Sequence, residues 1–296
     1  MIDIEKFTEV IAKFLAMSGK ILPDDITAKL EALSAAETIP LAKSVYESML
    51  KNQKMAAELN RPSCQDTGVI NFFVTAGEHY PDLGKIAPAL KEAVRRATVQ
   101  APLRHNTVAI FDEKNDGTNV GERAPFIHWD IMPDSDTLRV ETYMAGGGCS
   151  LPGRAITLMP SAGYEGIVKY VLDTMVDWGI NACPPLLVGI GIAGSVENAS
   201  LLSKKAILRP LGSRNPNPKG AEMELLLEKG LNDIGLGPQG VSGTASVMGV
   251  HIESAARHPS TISVGINVGC WAHRRGCIVL DKDMNYEILS HKGARL

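Results

Sequence analysis

Asn181-Ala-Cys-Pro-Pro-Leu-Leu-Val-Gly-Ile-Gly-Ile-Ala-Gly194 is a polar turn that runs into an uncharged apolar segment. Bounded by two prolines and a glycine, Leu186 to Ile192 reads as a strand buried on both faces. The whole apolar stretch from Ala182 to Val196 is shorter than the ~20 residues a membrane helix needs. A helix follows the strand, through Ile207, and another precedes it, Gly166 to Trp178, with Gly179 as its stop. A buried strand between helices predicts an α/β fold, with a mixed α+β arrangement as the variant.

Working toward the N-terminus, Phe126 to Met132 and Thr137 to Met144 alternate in polarity around Pro133-Asp134-Ser135-Asp136, which predicts a β-hairpin. Leu83 to Val99 reads as a helix, and Val69 to Val74 as a buried strand. Residues 3 to 59 read as three amphipathic helices, the first presenting Ile4, Phe7, Ile11, Phe14 and Leu15 on one face. They hold no Cys or His, so their expected role is packing or bridging subunits. Toward the C-terminus, Ala221 to Leu231 is helical, and Ser263 to Val268 and Cys277 to Leu280 are strands. Arg209 to Lys219 is a Pro-rich polar loop, either mobile or a boundary. The expected organisation is a helical segment over 1–60, then a mixed β-sheet domain with packed helices over 61–296.

Composition narrows the partners. Thirty Lys and Arg against 33 Asp and Glu give a net charge of -3, which offers no basic field for nucleic acid. Three Trp, six Tyr and six Phe are too few for a base-stacking surface. Small molecules are left as the expected ligands, with no nucleic acid and no membrane. The start, Met-Ile-Asp-Ile-Glu-Lys, lacks the basic and apolar regions of a signal peptide. Five cysteines, an odd and scattered set, make no secreted disulfide framework, so the expected compartment is the reducing cytoplasm.

Three of those cysteines lie at loop-strand junctions: Cys64 before Gln65-Asp66-Thr67-Gly68, Cys183 before Pro-Pro, and Cys270 between Gly269 and Trp271. Such positions can converge in space, although the spacing is nothing like a zinc ribbon. On residue type alone each is a buried thiol or a ligand. Asp66 is a candidate acid or base, or a turn former bonded to its own backbone. Arg104, in Ala-Pro-Leu-Arg-His-Asn, could offer a forked cation to a carboxylate. Gly146-Gly147-Gly148 could present backbone N–H groups to a carboxylate or form a bend. Arg257-His258 and His273-Arg274-Arg275 are either anion-binding groups or partners of surface carboxylates. Gly189-Ile-Gly191-Ile-Ala-Gly194 satisfies a dinucleotide fingerprint, but the Pro-rich loop stands where the acidic residue of a second strand belongs. No nicotinamide cofactor is therefore expected. No Ser-His-Asp arrangement or Walker loop stands out.

Together these segments resemble the iron-sulfur hydro-lyases grouped as class I fumarases and tartrate dehydratases. The carriers are RPSCQDTG at 61–68, APLRHN at 101–106, AGGGCSLPGR at 145–154, NACPP at 181–185, LRPLGSRNPNP at 208–218, SVMGVHIESAARHPSTI at 246–262 and GCWAHRRG at 269–276. The resemblance implies a 4Fe-4S cluster held on loops by Cys64, Cys183 and Cys270, with one iron lacking a protein ligand. It further implies Asp66 as the acid, Gln65 orienting substrate, Arg104 binding a carboxylate, and Gly147 and Gly148 lining the substrate. Cys149 and Cys277 have no family role and are taken as structural.

Two departures refine the expectation. One-chain fumarases continue into a second domain that supplies the carbon base, whereas this chain stops at Leu296. It is expected to supply half an active site as an alpha subunit, a beta subunit completing it in an assembly of two alpha and two beta chains. Fumarases also carry Lys before the triple glycine and a Ser-containing stretch after it, where this chain has Ala145 and Cys149. That favours tartrate dehydration to oxaloacetate, with a two-subunit fumarate hydratase as the alternative.

Overall fold

The computed structural model describes all residues, Met1 to Leu296. The first half of the chain runs α1 (Ile4–Lys20), α2 (Asp24–Ala36), α3 (Pro40–Glu58), β1 (Val69–Gly77), α4 (Leu83–Gln100), β2 (Phe126–Met132) and β3 (Leu138–Ala145). Next come α5 (Gly147–Ser150), β4 (Arg154–Leu158), α6 (Gly163–Trp178), β5 (Leu186–Ala193) and α7 (Val196–Ala206). The last elements are α8 (Pro218–Asp233), β6 (Val247–Ser254), β7 (Ile262–Gly269), β8 (Arg275–Leu280) and β9 (Tyr286–Ile288). This is the mixed α/β architecture expected, in two compact units.

The first unit comprises Met1–Asp24, Lys51–Gly146 and Arg274–Leu296. Its sheet has the order β2-β1-β3-β8-β9, with β1 and β2 parallel and the other pairs antiparallel. Along β1, Ile70, Phe72, Val74 and Ala76 all enter one core, as a period of two demands. Phe7, Ile11, Phe14 and Leu15 of α1 enter it from a helix whose start is capped by the Asp3 side chain accepting from Lys6 N–H at 2.9 Å. Ile86, Leu90 and Val94 of α4 complete it.

The expected hairpin is corrected here. β2 and β3 do not pair; β1 lies between them. Gly77 N–H donates to Thr137 O and His79 N–H to Ser135 O, so Pro133 to Asp136 passes over the end of β1 rather than closing a tight turn. The largely buried β1 takes the interior place between them, and exposed β2 takes the edge.

The second unit comprises Asp25–Leu50 and Gly147–His273. Its sheet has the order β4-β7-β5-β6, with β5 and β6 parallel and the others antiparallel. Val188 and Ile190 of β5 face a core shared with Ile167 and Val171 of α6 and Leu227 and Leu231 of α8. The alternate residues are glycines. A Cβ at Gly189 would fall on Ser203 O, and one at Gly191 on Ala199 O, so α7 lies directly on the strand backbone. These glycines serve close helix-sheet packing within a strand, rather than a turn out of it.

Glu37, 4% exposed between α2 and α3, ties two parts of this unit. Its Oε1 accepts from Thr38 and Ile39 N–H, both at 2.9 Å, and its Oε2 from Thr244 N–H at 2.9 Å and Thr244 Oγ1 at 3.1 Å. Burial opposes ionisation, but the hydrogen bonds from Ile39, Thr244 and Thr38 outweigh it and hold the carboxyl below the usual glutamate range. With the folded value below the unfolded ~4.3, the stabilisation is complete above the unfolded value and is lost as pH falls through the folded one. Thermal midpoints measured below about pH 4.3 should therefore fall more steeply for the wild type than for Glu37→Gln. Equal slopes would remove Glu37 as the source.

Candidate functional site

The loop before β1 is fixed from several sides within the first unit. Ser63 N–H donates to Gly19 O at 3.2 Å, and Asn52 Nδ2 to Ser63 O at 2.7 Å. Cys64 is half-buried, Gln65 exposed and Asp66 half-buried. Asp66 Oδ1 accepts from Gly68 N–H at 3.0 Å and from Asn106 Nδ2 at 3.1 Å. The first bond is the local turn; the second comes from 40 residues away and makes this aspartate more than a turn former. A Cβ at Gly146 would lie 3.1 Å from Asp66 Oδ2, so the first glycine of the triple lets β3 end against the carboxylate. Gly68, at φ +83°, similarly allows the loop to pass over the Met144–Ala145 backbone.

Arg104 is placed by its backbone. Its N–H donates to Thr67 Oγ1 at 2.9 Å, and its carbonyl accepts from Asn119 Nδ2 at 3.0 Å. The side chain is exposed, a guanidinium fork presented to solvent. Asn119 Oδ1 also accepts from Asn106 N–H at 2.7 Å, which orients the residue that in turn holds Asp66. Asn106 lies within the quoted APLRHN segment, but its role depends on a contact with Asp66 that sequence does not display.

His273, Arg274 and Arg275 are all buried, at 1%, 1% and 4% exposure, so the surface-carboxylate alternative is corrected. Arg274, in the first unit, donates from Nη2 to Asp66 O at 2.7 Å. Sequence reasoning treated it only as one of a basic run.

In the second unit, Cys183 ends a 3₁₀ turn with φ 56° and ψ 75°, a left-handed conformation costly for any residue with a Cβ. Its carbonyl accepts from Trp271 N–H at 3.2 Å, next to Cys270. The antiparallel β5–β7 pair, with Leu187 opposite Gly269, explains why: Cys183 precedes one strand and Cys270 follows the other, at the same end of the sheet. Cys183 is exposed, Cys270 buried, and none of the five cysteines is in a disulfide. Gly147 and Gly148 begin α5, and a Cβ at Gly148 would lie 2.9 Å from Asn181 O, two residues before Cys183.

Arg257 and His258 sit at the other end, in the loop from β6 to β7. The eight residues of β7 separate that loop from Cys270 by roughly 26 Å. Near it opens a cavity of about 1000 Å³ lined by Ile167, Val168, Met223, Leu226, Ile252 and Ile262 among others. Its lining contains no Cys, His or Asp. In the first unit Glu78, His79 and Asp134 bring ligand atoms within 4.8 Å of one another, exposed, at the end of β1 remote from Cys64.

Comparison with known proteins gives the family. The fumarate hydratase (Fumerase) family model matches residues 8–279, and the chain belongs to that family. It is an enzyme of the hydro-lyase class. Over 293 residues, 99% of this chain and 97% of the relative, it is 57% identical to the L(+)-tartrate dehydratase subunit alpha of Escherichia coli strain K12. The same identity and coverage hold for proteins of that description from Shigella boydii serotype 4 and Shigella sonnei. No helix is long and apolar enough to cross a membrane.

Proposed function

We propose that this chain is the alpha subunit of an iron-sulfur hydro-lyase that dehydrates L(+)-tartrate to oxaloacetate and water. The observation that carries the reading is the likeness along 99% of the chain to subunits of that description. Cys64, Cys183 and Cys270 would hold a 4Fe-4S cluster. The donor set suits it: cysteines outside any disulfide are the ligands such clusters take, and the Cys183 carbonyl accepts from Trp271 N–H, next to Cys270. Three thiolates leave one iron without a protein ligand, and when bound the group supplies a Lewis acid toward the substrate hydroxyl.

The rest falls to the polypeptide. Arg104 binds one substrate carboxylate through its fork, and Gln65 orients the diol. Gly147 and Gly148 offer backbone N–H groups to the substrate. Asp66 protonates the departing hydroxyl. Its carboxylate is held in place through Oδ1 by Gly68 N–H and Asn106 Nδ2, beside Gly146. A base on the beta subunit removes the proton from the adjacent carbon, and the resulting enol tautomerises to the ketone without redox change. Two alpha chains with two beta chains make the assembly, working in the reducing cytoplasm.

A fumarate hydratase alpha subunit is the second reading, favoured by the description of the matching family model. Anaerobic reconstitution with iron, sulfide and a co-expressed beta chain separates the two. Faster turnover of L-tartrate than of fumarate or malate is expected; the reverse order supports the second reading, and no turnover of any of the three sinks both.

A further inference from the structure

Arg274 is among the largest fully buried side chains, and its surroundings do not balance its charge. Nη2 donates to Asp66 O at 2.7 Å, while buried Nε and Nη1 have no hydrogen-bond acceptor. No carboxylate pairs with it. Its own carbonyl accepts from Met144 N–H at 3.0 Å. The residue therefore clamps two segments: the Cys64–Gly68 loop through its side chain, and the end of β3, which leads into Gly146, through its backbone. Those are the two segments that flank the Asp66 carboxyl.

A buried cation with one neutral acceptor costs more in desolvation than that bond returns, and an apolar side chain of similar volume would suit the fold at least as well. Stability does not explain the charge. We infer that Arg274 is a positioning residue for Asp66, fixing the Asp66–Thr67 peptide from inside the fold at the expense of stability. The inference rests on the proposed role of Asp66, so one arm of its test needs neither cluster, partner nor substrate.

In that arm, the metal-free full chain is alkylated with iodoacetamide under reducing conditions, and labelling of Cys64 and Cys183 is followed by mass spectrometry. Arg274→Met should raise the Cys64 rate several-fold, leave the Cys183 rate unchanged, and leave the thermal midpoint unchanged or higher. In the second arm, on the reconstituted two-subunit enzyme, kcat for L-tartrate should fall roughly 10- to 100-fold, as for a misplaced catalytic group, with KM little changed. Arg274→Lys, which keeps the charge but loses the fork, should lie between wild type and Arg274→Met in both arms, and it carries the test if Arg274→Met does not fold. A wild-type Cys64 rate in the variants overturns the inference whatever the activity does. A rise in KM at unchanged kcat also overturns it, because that is the mark of a substrate-binding group. A raised Cys64 rate in a protein that turns over no dicarboxylate would leave the clamp standing and remove the tartrate reading instead.

Discussion

Cys64→Ser, Cys183→Ser and Cys270→Ser should each strip iron from the anaerobically reconstituted enzyme and lower turnover by about three powers of ten or more. That is the scale of losing several kcal/mol of Lewis-acid stabilisation. Cys149→Ser and Cys277→Ser should keep both iron and activity. The contrast rests on protonation and placement. A cluster ligand must be a thiolate. Burial, followed by the nearby Glu141 carboxylate, pushes the Cys277 thiol up to about 11, which keeps it protonated at neutral pH. Cys149 lies on α5, whereas Cys183 and Cys270 lie at the adjoining ends of β5 and β7, beside the Trp271 turn. Iron content and visible absorbance check the outcome: iron retained in any of the first three variants, or lost from Cys149→Ser, makes the ligand assignment wrong.

The sequence was most readable where a single face had to be buried. The apolar spacing of α1 and the uncharged run of β5 each admitted one element type, and both elements formed. It was least readable where pairing depends on distant partners. Polarity alternation located β2 and β3 but not the strand between them, because register carries no mark of which neighbour is chosen. β6, Val247–Ser254, was not anticipated: its apolar run is short, and its pairing with β5 is parallel and distant. At the site, Cys183 and Cys270 were legible as loop-strand junctions, and their approach follows from the antiparallel β5–β7 pair. Asn106 and Arg274 were not, because nothing in a basic run reveals which cation is buried or which carbonyl it finds.

The glycines of β5 show how one pattern serves two structures. Gly189 and Gly191 match a phosphate-cradling fingerprint, yet they lie within the strand and face Ser203 and Ala199. A phosphate site needs the glycines at the helix start, with N–H groups pointing out of the sheet. Here the missing side chains let α7 sit on the strand backbone. The same spacing therefore reports packing.

Glu224→Ala should destabilise the second unit by about 3–5 kcal/mol, much of the margin of an ordinary domain. Glu224 is fully buried, and its carboxylate accepts from Arg209 Nη1 at 3.0 Å, Asn215 N–H at 2.9 Å and Ile252 N–H at 2.8 Å. Truncation orphans two buried backbone donors, at about 1–3 kcal/mol each, and leaves Arg209 with the more exposed Glu253 at 3.2 Å. Glu224→Gln keeps the volume but turns an amide N–H₂ toward donors, so a loss of about 1.5–3 kcal/mol is expected. Urea unfolding measures both, and a loss below about 1 kcal/mol for Glu224→Ala would contradict the network. The same variants report on the Pro-rich loop. Sequence left it as mobile or a boundary, but Leu211 N–H donates to Asp25 Oδ2 at 2.6 Å, and Asn215 Nδ2 to Ile252 O at 2.7 Å, so side chains on both α2 and α8 hold it. Removing Glu224 takes away the anchor at Asn215 N–H while sparing the one at Leu211. Limited proteolysis of the native variant should therefore begin between Ser213 and Lys219, ahead of global unfolding, because that half of the loop depends on a buried carboxylate for its order.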